Sequence, residues 1–171
     1  MMTETTVEIL FDKGCSETLS NSVLEGVLYE SMKRVPLPSY TAEELAFARE
    51  IKQYLSLPMS DFILPWKHMD ILLAGSSDVG DASKIMPTAQ FVAATVVPGT
   101  PGHSWQMVTQ GKSGTAKKGM LYAAQVLADA GKTLLENPEL IRKAKAEFRE
   151  EMNERLYICP IPKEIQPHIH L

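Results

Sequence analysis

The chain has 171 residues, 44% of them hydrophobic and 22% charged, with a formal net charge of -4. That length suits one medium domain with its own apolar core and leaves little room for two. The acidic balance and the lack of a Lys/Arg cluster among aromatics argue against a nucleic-acid partner, and no run nears the ~20 apolar residues of a membrane span.

The start, Met1-Met2-Thr3-Glu4-Thr5, is acidic and polar, unlike a signal peptide, so a cytoplasmic location is expected. Val7 to Phe11 alternates Val7, Ile9 and Phe11 with Glu8 and Leu10, which predicts a half-buried strand broken at Gly14. Asn21 or Ser22 can cap the next helix, with Glu25 three residues after Ser22. Val23, Leu24, Val27, Leu28, Met32 and Val35 form its apolar stripe, and Pro36 and Pro38 end it. Thr41-Ala42-Glu43-Glu44 is a capping box opening a helix to about Leu55, with Leu45, Ala48, Ile51 and Leu55 inward. Leu57 to Met69, carrying Pro58 and Pro65, reads as a loop long enough to cover something.

Ile71 to Ala74 and Pro87 to Val97 are short apolar runs bounded by Gly and Pro, as expected of strands buried on both faces of a parallel or mixed sheet. Thr115 to Leu135 is helical and rich in Ala and Gly, so its backbone can approach a sheet closely. Asn137-Pro138 restarts a helix with Asn137 as cap and Pro138 first inside, burying Leu140, Ile141, Ala144, Phe148 and Met152. The end, from Cys159-Pro160-Ile161-Pro162 onward, cannot continue a helix and reads as an extended tail. Cys15 and Cys159 lie at opposite ends without Cys-x-x-Cys spacing. They read as two reduced structural thiols rather than a disulfide framework or zinc knuckle, although Cys15 could be mobile enough to react.

Two loops, residues 75–83 and 99–106, hold most of the chemistry. In the second, a strand is expected to end, Gly99-Thr100-Pro101-Gly102 turns the chain sharply, and His103 is presented at the sheet's end, a residue type that ligates zinc or manganese when a second group fixes its tautomer. An exposed loop histidine is the plainer alternative. In the first, Asp78 and Asp81 can ligate metal, orient a histidine or satisfy loop amides, the last being the commonest fate of Asp in such a turn. His68-Met69-Asp70 has a spacing used in metal sites, but so short a triplet is a false positive about nine times in ten. His168-Ile169-His170 reads as a solvated terminus. Gly111-Lys112-Ser113-Gly114-Thr115 lacks the G-x-x-x-x-G-K-S/T spacing of a phosphate loop, and no serine-hydrolase elbow is present.

Taken together, residues 75–81, Met86-Pro87-Thr88, residues 99–106, Lys118-Gly119-Met120 and Cys159-Pro160-Ile161-Pro162-Lys163 closely resemble the M20 metallopeptidase and amidohydrolase family. The resemblance covers most of this chain but only the C-terminal part of such an enzyme. It implies an α/β fold, the C-terminal half of a zinc-peptidase-like catalytic domain with a short mixed sheet flanked by helices. Residues 1–14 would then be the last strand of a lid or dimerisation domain, and residues 15–171 the returning half of the catalytic domain. His103 matches the family's last metal-ligand histidine, for zinc or manganese, while Asp78 matches an acid beside the site and Asp81 shares its loop as support. Lys84 and Lys117 stand where relatives often have Trp and His.

The family's other ligands and its general base have no counterpart in this chain, so no catalytic residue is assigned to it. The function implied is a share in a metal-dependent amidohydrolase cleaving the amide of an N-acyl amino acid such as p-aminobenzoyl-glutamate. The chain would be inactive without a complementing N-terminal half, and metal binding by it alone is doubtful. The alternative is a non-catalytic truncated relic or self-associating interaction module, and a piece of a normal longer enzyme is a third possibility.

Overall fold

The computed structural model describes residues 5–51, 63–66, 75 and 77–166. Three helices carry the core: α1 (Ser22–Arg34), α5 (Gly114–Glu136) and α6 (Pro138–Met152), which pack against one another pairwise. The shorter α2 (Ala42–Ile51), α3 (Val79–Ser83) and α4 (Trp105–Gln110) hold loops against this frame.

The start of α1 is buried, so its free amide groups need partners from the protein. Asn21, 2% exposed, is the cap: its Oδ1 accepts from the Leu24 N–H at 3.1 Å, and its Nδ2 donates to the Ala144 carbonyl at 2.9 Å. Glu147, on α6, accepts from the N–H groups of Ser22 and Val23 at 2.7 and 3.1 Å. The carboxylate also lies at the positive end of the helix dipole. At the other end, Val35 closes α1 and Pro36 prevents its continuation. There the Arg34 guanidinium reaches Asp129 and Thr133 on α5, setting register more than stability because the pair is half exposed.

Val27 and Leu28 of α1 meet Tyr122, Val126 and Ala130 of α5, and Val126 has no exposed surface. Tyr122 can lie inside because its hydroxyl donates to the Met32 carbonyl at 2.9 Å. The Thr41–Glu44 capping box forms as read, with reciprocal bonds of 2.7 and 3.2 Å. Glu44 also accepts from Lys118 of α5 at 2.6 Å, so the same carboxylate docks α2 onto α5. Lys118, chiefly, and the Thr41 N–H hold the Glu44 carboxyl below the usual glutamate range. Ser113 caps α5 by accepting from Ala116 N–H at 3.1 Å. Asn137 and Pro138 occupy the expected cap and first positions of α6, although the Asn137 side chain makes no capping bond.

The expected α/β architecture is not what the chain adopts: among the described residues there are helices and no strand, hence no mixed sheet. Val7 to Phe11 forms no strand, and Val7, Ile9 and Leu10 are over 80% exposed. Residues 87–97 form a strap across the helices. Ala89, Phe91 and Ala93 pack on the core while Val92 points out, 90% exposed. The burial on both faces expected from the sequence is therefore met on one face only. A strand, however, also needs a neighbour about 4.8 Å away to complete its hydrogen-bond ladder, and none is present among the described residues. The Ala/Gly-rich character of α5 serves this strap. A Cβ on Gly119 would collide with the Ala94 carbonyl, so only glycine admits the approach.

The expected strand Ile71 to Ala74, the end of α2 toward Leu55, the His68-Met69-Asp70 triplet and the His168-Ile169-His170 tail lie outside the described residues, as does most of the 57–69 loop. Among the described residues no helix is long and apolar enough to cross a membrane.

Replacing Asn21 removes a cap and a buried bond between α1 and α6 together. Asn21→Ala is expected to lower unfolding stability by roughly 2 kcal/mol, read as a lower urea midpoint with unchanged slope.

Candidate functional site

The loop bearing His103 is built around a buried amide. Gln110, at the end of α4, is 1% exposed and uses both ends of its side chain. Its Oε1 accepts from Val97 N–H at 2.8 Å, and its Nε2 donates to Thr100 Oγ1 and to the Gln106 carbonyl, each at 2.9 Å. Thr100 in turn donates its hydroxyl to the Val97 carbonyl at 2.6 Å. Ser104 caps α4 by accepting from Met107 N–H at 3.2 Å and donates to the Pro101 carbonyl at 2.6 Å. Both feet of the loop are thereby pinned, and the intervening residues 101–103 are exposed.

At the tip, His103 has φ 52°, in the left-handed region that glycine adopts freely and a side chain adopts at a cost. Gly99, at φ 85°, makes the earlier turn. The imidazole is exposed and has no hydrogen-bond or ionic partner among the described residues. No strand ends here, so His103 is presented by a pinned loop and not by a sheet edge.

Asp78 and Asp81 have different surroundings. Asp78 stands at the cap position of α3 without a side-chain capping bond, and its carboxylate is exposed. Asp81 is half-buried, and its Oδ1 collects three donors: Ser16 Oγ at 2.6 Å, Tyr157 Oη at 3.0 Å and Ser16 N–H at 3.3 Å. Ser83 adds a parallel tie, accepting from Leu19 N–H at 2.8 Å and donating to the Gly80 carbonyl at 2.6 Å. Gly80 has no room for a Cβ beside the Ser16 carbonyl, which explains the glycine. Lys84 pairs with Glu17 at 3.4 Å on the same side. Asp81 thus joins the chain's beginning, α3 and the segment after α6.

The Ser16 hydroxyl foremost, with Tyr157 and the Ser16 N–H, holds the Asp81 carboxyl below the usual aspartate range against an opposing effect of partial burial. Tyr157 is pushed up to about 12, first by burial, then by the Asp81 carboxylate, with a further contribution from the Cys159 thiol beside it.

Neither aspartate bonds to His103, and among the described residues no three His, Cys, Asp or Glu side chains gather as a metal cluster would. A hydrolytic metal centre takes about three protein ligands and an open position. The donors around His103 do not fit such a centre by themselves, and the described residues support no catalytic step through a metal. Gln110 organises the His103 loop yet carries no sequence motif, whereas Lys118, within the Lys118-Gly119-Met120 motif, docks α2 onto α5 through Glu44. The one local signal for Gln110 is its placement one turn after Gln106.

With this arrangement the chain is similar to part of a known hydrolase. It is 34% identical, over 195 aligned positions and 98% of its own length, to one of the subunits of p-aminobenzoyl-glutamate hydrolase from Escherichia coli (strain K12). It spans 40% of that relative's length, which fits the C-terminal part of an M20-type family member and bears out the resemblance in the motifs. No family model matches the chain, and no solved structure matches it.

Two measurements test the loop supports. Gln110→Leu leaves the Val97 N–H without its partner. Hydrogen exchange at Val97 and Thr100 is expected to quicken, with a loss of about 1–3 kcal/mol in stability. For Asp81 the folded pKa is depressed, so its stabilisation is present above the unfolded aspartate pKa of about 4 and is lost as pH falls through the lower folded value. Acid titration of unfolding should therefore show a falling limb below about pH 4 that flattens in Asp81→Asn.

Proposed function

We propose that this chain supplies part of a metal-dependent amidohydrolase acting on the amide of an N-acyl amino acid such as p-aminobenzoyl-glutamate. The observation that carries this reading is the 34% identity running along nearly the whole chain to a subunit of a hydrolase with that substrate in its name. In this reading residues 15–171 are the C-terminal half of a catalytic domain, and residues 1–14 belonged to its lid.

His103 is the chain's contribution to binding zinc or manganese. Its support is a loop that spends backbone strain to expose an imidazole while Gln110 fixes both feet; strain of this kind gathers at binding sites. Asp81 supports its own loop by its three donors, and Asp78 shares that loop with an exposed carboxylate. The remaining ligands and the general base come from a second polypeptide, without which turnover is negligible. The exposed apolar side chains Val7, Ile9, Leu10, Val92, Leu156 and Ile158 offer it a surface to cover. The same residues would serve self-association if the chain were a non-catalytic relic.

Hydrolysis of p-aminobenzoyl-glutamate with added Mn²⁺ or Zn²⁺ separates the two. The chain should be inactive alone and gain activity when mixed with the segment of the E. coli relative that it does not cover. His103→Ala should lower that activity by more than about 100-fold, the upper range for groups that merely support a metal site. Activity of the chain alone that survives His103→Ala would overturn the reading. A self-associated chain that neither binds nor activates the added segment would favour the relic.

A further inference from the structure

Cys15 and Cys159, remote in sequence, are bracketed by contacts that bring the two ends of the chain together. On one side of the pair, a Cβ built on Gly14 would lie 3.2 Å from Pro160 Cβ and 3.5 Å from the Pro160 carbonyl oxygen. On the other, Ser16 and Tyr157 donate to the same oxygen of Asp81, at 2.6 Å and 3.0 Å from their hydroxyls. Cys15 follows Gly14 and precedes Ser16, while Cys159 lies between Tyr157 and Pro160. The two segments therefore run in opposite directions, with the cysteines between two points of contact.

Both thiols are free and exposed, so an external oxidant can reach either. A disulfide requires Cα atoms about 4.4–6.8 Å apart, and the close approach of Gly14 to Pro160, one residue along from each cysteine, brings the two segments within that range of each other. No rearrangement of the helical core is needed, because neither segment belongs to a helix.

We propose that Cys15 and Cys159 are a reversible oxidation site that closes an intramolecular disulfide across the two ends of the chain. With glutathione disulfide as oxidant, one protein thiolate attacks a sulfur of the reagent, forming a mixed disulfide and releasing one glutathione thiolate. The second protein thiolate then attacks the protein sulfur of that mixed disulfide and releases the other. The two cysteines lose two protons and two electrons, and one glutathione disulfide becomes two glutathiones. The closed bond fastens the same joint that Asp81 holds by hydrogen bonds.

The test is intact mass and peptide mapping of the full chain after incubation with glutathione disulfide. The expected product has lost two hydrogens, retains no glutathione, yields a Cys15–Cys159 cross-linked peptide and unfolds at a higher denaturant midpoint than the reduced chain. Cys15→Ser should instead keep one glutathione, on Cys159, with no rise in midpoint. Asp81→Asn, which loosens one side of the bracket, should close several-fold more slowly than the parent. Glutathione retained on both cysteines, disulfide-linked dimers as the main product, or no reaction would each overturn the proposal.

Discussion

A helix that begins inside a protein must find partners for its first amide groups, and in this chain that requirement fixes how α1 meets α6. Asn21 and Glu147 between them take the N–H groups of Ser22, Val23 and Leu24, while the Asn21 amide returns a bond to Ala144. These bonds are directional where apolar packing is not. Val27 and Leu28 could slide by a turn along α5 and still be buried, but the cap would then lose Ala144 and Glu147, leaving buried polar groups at a cost of about 1–3 kcal/mol each. The seam of α1, α5 and α6 supplies the burial, and the cap selects one register from several that burial would tolerate. The strap of residues 87–97, and through it both loops, rests on the surface so fixed.

Both loops are held by one polar side chain that gathers several partners, and burial makes the two devices respond differently. Gln110 is neutral and almost wholly inside, so its bonds to Val97, Thr100 and Gln106 work in a low dielectric and do not vary with pH. Asp81 is charged and partly solvated. Its bonds to Ser16 and Tyr157 are charge-assisted and short, yet they depend on an ionised carboxylate. The loop presenting His103 is the steadier of the two, and the joint at Asp81 is the one that solution conditions can open.

What could be read from the sequence was what depends on neighbours a few residues away. The Thr41–Glu44 box, the Pro36 stop, the start of α6 at Pro138 and the apolar stripes of α1 and α6 are local patterns, and each formed. The strap shows where such reading ends. Ala89, Phe91 and Ala93 alternate inward with period two, but a sheet depends on a second segment lying alongside, which periodicity within one segment cannot supply. Gly119 was legible as permission for close approach, but the expected partner was a sheet and the segment that comes close is the strap at Ala94. Gln110 was missed because a buried amide has no spacing rule, and Lys118, singled out within a motif, gave no sign of its docking role for the same reason. The cysteines were read as unrelated because their separation in sequence concealed the shared neighbourhood of Gly14, Ser16, Tyr157 and Pro160.

That neighbourhood has two ties with different chemistry. The Asp81 tie needs a carboxylate and weakens in acid. The Tyr157 hydroxyl, whose proton is held up to about 12, keeps its donor through neutral and moderately alkaline pH, so base opens the joint only when that proton leaves. The disulfide is undone by reductant rather than by acid. Oxidation therefore secures the joint in the range where protonation of Asp81 would release it. The covalent bond joins Cys15 to Cys159, however, and the loop of Asp78 still reaches that joint through the Asp81 carboxylate, so oxidation secures the two ends of the chain while the loop's own tie keeps its sensitivity to acid.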